Sequence, residues 1–197
     1  MRFLAEFTTL AMTAIFLENV VFSRALGTSR MLNNLKVGKN LIGFGVLLSI
    51  MTTLSSIATY FINAFFKEKE LKFYYRPFFF VLVITIIYVC VYLAMKKFSP
   101  VLYKKYGELL TFSTFNCALL GSVFLSADQN FNLTKTLGFG FGSGIGFTIA
   151  TLMVYEGKRR LVLSDIPKSF RGFPITLMYL GMVALAMYGL VGHQLPF

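Results

Sequence analysis

The sequence predicts an all-α integral membrane protein. Six transmembrane helices are expected as two inverted three-helix repeats, with helices 1 and 4 broken near mid-membrane. Three observations lead there. The chain is 56% hydrophobic, has a mean hydropathy of +0.71 and carries only 14% charged residues, far from the composition of a water-soluble domain. Charge-free stretches run over 40–66, 77–95, 109–127, 136–155 and 172–197, each near or above the roughly 18–20 residues that cross a hydrocarbon core as a helix. A sixth apolar stretch, from about Phe3 to Ala25, is interrupted by Glu6, Glu18 and Asn19. Such residues at membrane depth mark a helix that faces protein or is locally broken.

Helix 1 is assigned to that sixth stretch. A cleavable signal peptide is the competing assignment, but Glu6 falls inside its would-be apolar region and no small-residue cleavage site follows. Helix 2 fills 40–66. Helix 3 fills 77–95 and contains Cys90, which reads as a small apolar residue facing lipid or core. Helix 4 fills 109–127 and contains Asn116-Cys117-Ala118-Leu119-Leu120-Gly121, so a thiol lies near mid-membrane. With both cysteines inside spans, a secreted disulfide scaffold is excluded.

An odd number of spans per half obliges the second half to enter the membrane with opposite orientation, the geometry of an inverted repeat. The halves are about 1–98 and 99–197 of one membrane domain covering 1–197. The first span of each carries a matching element: Asn19 with Leu26-Gly27, and Asn116 with Leu120-Gly121. Polar residues gathered in helices 1 and 4 would be costly facing lipid, so these two helices are expected to meet at the centre. Plain interhelical hydrogen bonding by the two asparagines accounts for the same residues equally well.

Helix 5 opens with glycines at 138, 140, 142, 144 and 146. A spacing of four puts glycines on one helix face for close backbone contact. The third glycine of a dinucleotide-binding G-x-G-x-x-G is missing, so no nucleotide loop is assigned. Loop 5 reads Ser164-Asp165-Ile166-Pro167-Lys168-Ser169-Phe170-Arg171-Gly172-Phe173-Pro174. Its prolines and glycine end one element and start helix 6. Asp165 and Arg171 are interface candidates, able to pair with each other or hold a partner subunit, and a solvated connecting turn is the plainer alternative. His193, the single histidine, has no carboxylate or cysteine near it in sequence.

A net charge of +11 could suggest nucleic acid, but the basic residues sit in short loops, where they orient a membrane protein. Loops 1, 3 and 5 hold 13 Lys and Arg, while the N-terminus and loops 2 and 4 hold 6. The excess puts the odd loops in the cytoplasm and both termini outside. A soluble enzyme is excluded, since no nucleophile–base or metal-ligand constellation exists outside the spans.

These residues resemble the six-helix membrane subunits of the Rnf and Nqr complexes, redox-driven ion pumps, and in particular the A subunit of Rnf, equivalent to the E subunit of Nqr. The resemblance is carried by Glu18-Asn19 before Leu26-Gly27, by Asn116-Cys117-Ala118-Leu119-Leu120-Gly121, and by Asp165-Ile166-Pro167 with Phe170-Arg171-Gly172. It spans essentially the whole chain. It implies a bacterial inner-membrane subunit that pairs with an inverted paralogue, the two supplying four thiolates to a 2Fe–2S cluster between them. That cluster would relay electrons across the membrane, coupled to Na+ or H+ movement, and the subunit would have no activity alone.

The resemblance assigns Cys117 as cofactor and metal ligand, supported by Asn19, Gly27, Asn116 and Gly121, with Glu18 as an ion-path candidate. No residue is assigned a catalytic role. The other family cysteine falls at Ser29, and a neutral hydroxyl is a poor substitute for a thiolate on iron. Three alternatives follow. A cluster is held with Ser29 or an outside ligand; the complex moves electrons differently; or the subunit is a non-redox transporter or assembly scaffold derived from this family.

Overall fold

The structure, a computed structural model, describes residues 2–29, 31, 41–68 and 75–191. Arg30, Lys36 and Lys39 of loop 1, Lys69 and Lys72 of loop 2, and His193 lie outside the described residues. Every regular element among the described residues is helical, as the composition predicts.

The first element is α1 (Arg2–Met12), which continues as a π-helical turn over Thr13–Leu17. The predicted helix reaches Ala25; the observed one stops at Leu17, and Glu18 leaves helical geometry at φ −103° and ψ 40°. Turns follow through residues 20–24. Helices α2 (Leu41–Glu68) and α3 (Arg76–Phe98) match two predicted spans. Pro77 sits in the first turn of α3, where a missing N–H costs nothing.

The four basic residues counted in loop 3 are not in a loop. Ser99 alone separates α3 from α4 (Pro100–Thr114), so Lys96, Lys97, Lys104 and Lys105 occupy helix ends. Pro100 begins α4 with its φ already set for a helix. The corner is tied by a 2.6 Å hydrogen bond between the Tyr92 and Tyr103 hydroxyls, and further along α4 by Tyr88 on Thr111 at 2.9 Å.

Predicted helix 4 is α4 followed by α5 (Cys117–Asp128), bent by 51° at Phe115–Asn116. Next come α6 (Leu133–Val162), a 3-10 turn over Lys168–Phe170, and α7 (Phe173–Val191). Helices α2, α3 and α6 are each long and apolar enough to cross a membrane, and the bent α4–α5 pair makes a fourth span. The apolar segments Phe3–Leu17 and Phe173–Gly189 are shorter. The chain is therefore a multi-pass, all-α membrane protein.

Helix α6 is the hub. At 30 residues it runs about 45 Å at 1.5 Å per residue, and its contact with α2 is the most extensive between any two elements among the described residues. Its glycines explain this as the sequence predicts, and they divide between two partners. Side chains at Gly138, Gly142 and Gly146 would press on the backbone of Phe7, Ala11 and Ala14. Those at Gly140 and Gly144 would collide with Ser56 and Ser49 of α2. Lipid tails are as apolar as leucine, so such close backbone approach, and not apolar burial, holds membrane helices together. By contrast α3 is mostly exposed, with Phe78, Val81, Leu82, Ile86, Val89 and Leu93 turned outward beside Cys90, a face suited to lipid.

Helix α2 also carries a buried polar seam that the predicted elements do not anticipate. Ser49, Thr52, Ser56, Thr59 and Asn63 follow at steps of three and four, which keep them on one face. Thr52 crosses to α6, donating to the Gly140 carbonyl at 2.9 Å.

Candidate functional site

Two chain breaks define the centre of the molecule, and they are built alike. At the first, the Asn19 amide oxygen accepts the N–H of Val21, two residues on, at 3.0 Å. At the second, the Asn116 amide oxygen accepts the N–H of Ala118, again two residues on, at 3.2 Å. Asparagine suits such positions because its short side chain replaces a backbone acceptor in a local turn. Asn116 is thereby the N-cap of α5, with φ −119° and ψ 133°. Both asparagines are buried, at 2% and 1% exposure, so the freed backbone groups are covered by protein and not by lipid.

Asn19 also joins the break to the hub. Its Nδ2 donates to the carbonyls of Ile15 and Gly146, each at 2.9 Å. Asn116 does not repeat this: its Nδ2 is buried without a hydrogen-bond partner. The Leu-Gly elements then bring the two breaks together. Gly27, in the left-handed region at φ 76°, lies against Asn116, Ala118 and Phe147. Gly121 is covered by the Leu26 side chain. Helices 1 and 4 thus meet, as expected from their polar content.

Cys117 is flanked in sequence by two residues that Gly27 touches, and it is itself exposed. Ser29, two residues beyond Gly27, is also exposed. The thiol is on the first residue of α5, where the helix dipole favours negative charge. Cys90 lies on α3, exposed on its own outward face.

These residues fit an iron–sulfur centre in part. A thiol stands at one expected ligand position and a hydroxyl at the other, and among the described residues no group of three His, Cys, Asp or Glu could hold a metal ion. A cluster with a full thiolate set does not fit this chain unaided.

Glu18 is half-buried and accepts from Gln129, at the end of α5, at 3.3 and 3.4 Å. Asp165 and Arg171 are exposed and form no ion pair with each other; Arg171 Nε donates instead to the Ile166 carbonyl at 2.9 Å. That bond closes loop 5 ahead of α7. The polar seam of α2 is the feature that sequence reasoning missed. Its signal was the spacing of Ser, Thr and Asn inside an otherwise apolar run.

A bundle of apolar helices, two of its spans broken at buried asparagines beside segments that touch, defines a membrane protein of the discontinuous-helix class. The chain belongs to the family described as "Rnf-Nqr subunit, membrane protein", whose model matches residues 7–193. It is 33% identical over 183 residues to the A subunit of the Na(+)-translocating ferredoxin:NAD(+) oxidoreductase complex of Acetobacterium woodii, covering 93% of this chain and 95% of that one. It is 30% identical over 189 residues to the A subunit of the ion-translocating oxidoreductase complex of Yersinia pseudotuberculosis, covering 96% and 98%. The corresponding protein of Edwardsiella ictaluri is equally similar, at 30% over 189 residues.

Proposed function

We propose that this chain is the membrane subunit of a redox-driven, ion-translocating oxidoreductase of the Rnf/Nqr type. It acts beside an inverted paralogous subunit in a bacterial inner membrane, with both termini outside and Na+ or H+ as the coupled ion. The observation that carries this is the seating of Gly27 on both neighbours of Cys117, which brings two exposed ligand positions, Ser29 and Cys117, to adjoining segments. Exposure of these positions beside otherwise buried breaks supports a site completed by a second chain. The matching asparagine turns support inverted halves.

The cofactor of this proposal is a 2Fe–2S cluster between the two subunits. When bound, such a cluster supplies one-electron transfer at mid-membrane. Cys117 would hold it as thiolate; Ser29, or a ligand from outside this chain, would stand at the remaining position. The chain's own residues supply the frame. Asn116 caps the helix that carries the thiol, Gly27 permits the approach of the two breaks, and Asn19 anchors the first break to α6.

The serine at position 29 favours a second reading, a non-redox transporter or assembly scaffold of the same ancestry. Iron content and the electron paramagnetic resonance spectrum of the native assembly, purified anaerobically with its partners, separate the two. The redox reading expects a 2Fe–2S signal that Cys117→Ser abolishes with assembly intact, and an increased iron content in Ser29→Cys. An iron-free native assembly, or a signal indifferent to Cys117→Ser, would overturn it.

A further inference from the structure

We propose that the cavity at the far end of the α2 seam binds a monovalent alkali cation. This is independent of any redox centre at Cys117. The cavity has a volume of about 140 Å³ and lies between the last turns of α2, the end of α5 and the start of α6, with Thr59, Asn63, Ser126, Asn130 and Thr136 among its walls. Its wall on the α5 side is a helix-terminating turn. Asn130 adopts the left-handed conformation at φ 52°, and the N–H groups of Asn130 and Phe131 return to the carbonyls of Ala127 and Ser126, both at 3.3 Å. Asparagine tolerates that conformation better than most residues, which makes it a fit terminator here.

The chemistry of the walls selects the ligand. The Thr59 hydroxyl donates to the Ser55 carbonyl at 2.7 Å, and the Ser126 hydroxyl to the Val123 carbonyl at 2.9 Å. Asn63 Nδ2 donates to the Ala127 carbonyl at 3.4 Å. With these hydrogens committed, three oxygens present lone pairs. One of them, Asn63 Oδ1, is buried with no hydrogen-bond partner, in a residue only 7% exposed. A buried acceptor left unpaired is costly, so the site calls for a donor or a cation.

An anion would meet acceptors and is rejected. A single water has two hydrogens for three oxygens, whereas a hard cation takes all three as ligands. No carboxylate is among the lining residues, and divalent Ca²⁺ or Mg²⁺ relies on carboxylates, so a singly charged ion fits this neutral oxygen set. The volume also suits an ion that keeps part of its hydration, since a water occupies about 30 Å³.

Equilibrium binding of radiolabelled sodium and rubidium to the complete assembly, with choline chloride holding ionic strength constant, tests the proposal. Saturable binding of either isotope is expected. Asn63→Leu, in an assembly shown intact by gel filtration, should bind one ion fewer per copy of the chain. Ser126→Ala changes only a hydroxyl bonded within its own helix, so it reads the site even where Asn63→Leu fails to assemble, and a several-fold weaker affinity is expected. Absence of binding above the choline background would overturn the proposal. So would intact variants that bind as the parent does.

Discussion

Gly27 sits so close to Asn116 that a β-carbon on Gly27 would stand 2.7 Å from the Asn116 amide oxygen, and equally close to the ring of Phe147. The two broken segments are in contact because one residue there has no side chain. Gly27 also needs its left-handed φ of 76°, which costs an L-residue roughly 1–2 kcal/mol. Gly27→Ala combines that strain with overpacking of about 1–3 kcal/mol. The thermal midpoint of the assembly should fall clearly. An unchanged midpoint would mean that the breaks do not depend on this contact.

The glycines of α6 and α7 should respond oppositely. A methyl group at Gly144 meets the backbone of Ser49, which cannot rotate away, while one at Gly181 meets nothing within 4 Å. Gly144→Ala is expected to loosen the α2–α6 contact, with a loss of about 1–3 kcal/mol. Gly181→Ala should be neutral or gain about 0.4–1 kcal/mol, because alanine leaves the unfolded chain less freedom. Resistance to denaturing detergent, followed by proteolysis of the assembly, ranks the two. Equal behaviour would contradict the packing described.

Asn19 uses both ends of its amide, and substitutions can separate them. Asn19→Leu removes the acceptor for Val21 N–H and the donors to Ile15 and Gly146. Leaving a buried N–H unpaired costs about 1–3 kcal/mol. Serine keeps a short acceptor of the capping type while losing the donors. The expected stability order is therefore asparagine, serine, leucine, measured as thermal midpoints. Serine falling below leucine would show that Val21 does not need that acceptor.

Cysteine labelling distinguishes the two exposed thiols. Cys117 lies beside the meeting point of the breaks, whereas Cys90 lies on the outward face of α3. With a membrane-permeant maleimide, Cys117 in a Cys90→Ala background should react in dissociated subunits and be protected in the assembly. Cys90 in a Cys117→Ala background should show no such protection. Protection of both, or of neither, would remove the case for a partner seated at Cys117.

Much of the architecture was legible because membrane burial is written locally. A run such as 77–95 can only be helical if lipid surrounds it, and α3 is observed at Arg76–Phe98. The breaks were legible for the same reason: Glu18-Asn19 and Asn116 are polar residues inside apolar stretches, and asparagine has a ready local alternative to the helix. The end of helix 1 was not. Nothing between Leu17 and Ala25 marks the stop except Glu18 and Asn19 themselves, and their partners, Gln129 and Gly146, are remote in sequence. The Asp165–Arg171 pair failed likewise, because Arg171 found a nearer acceptor in its own loop, the Ile166 carbonyl.

By itself the sequence determined that the chain is an all-α membrane protein, which stretches are helical, and which asparagines and cysteines lie at membrane depth. Those properties depend on transfer from water and on hydrogen bonds between near neighbours, both of which act residue by residue. Only the tertiary structure decided that Gly27 rests on Asn116, that the α6 glycines divide between α2 and the first helix with its π-helical turn, and that the α2 hydroxyls line a cavity with α5 and α6. Such pairings arise from complementary surfaces on helices distant in the chain, where close backbone approach decides which faces meet.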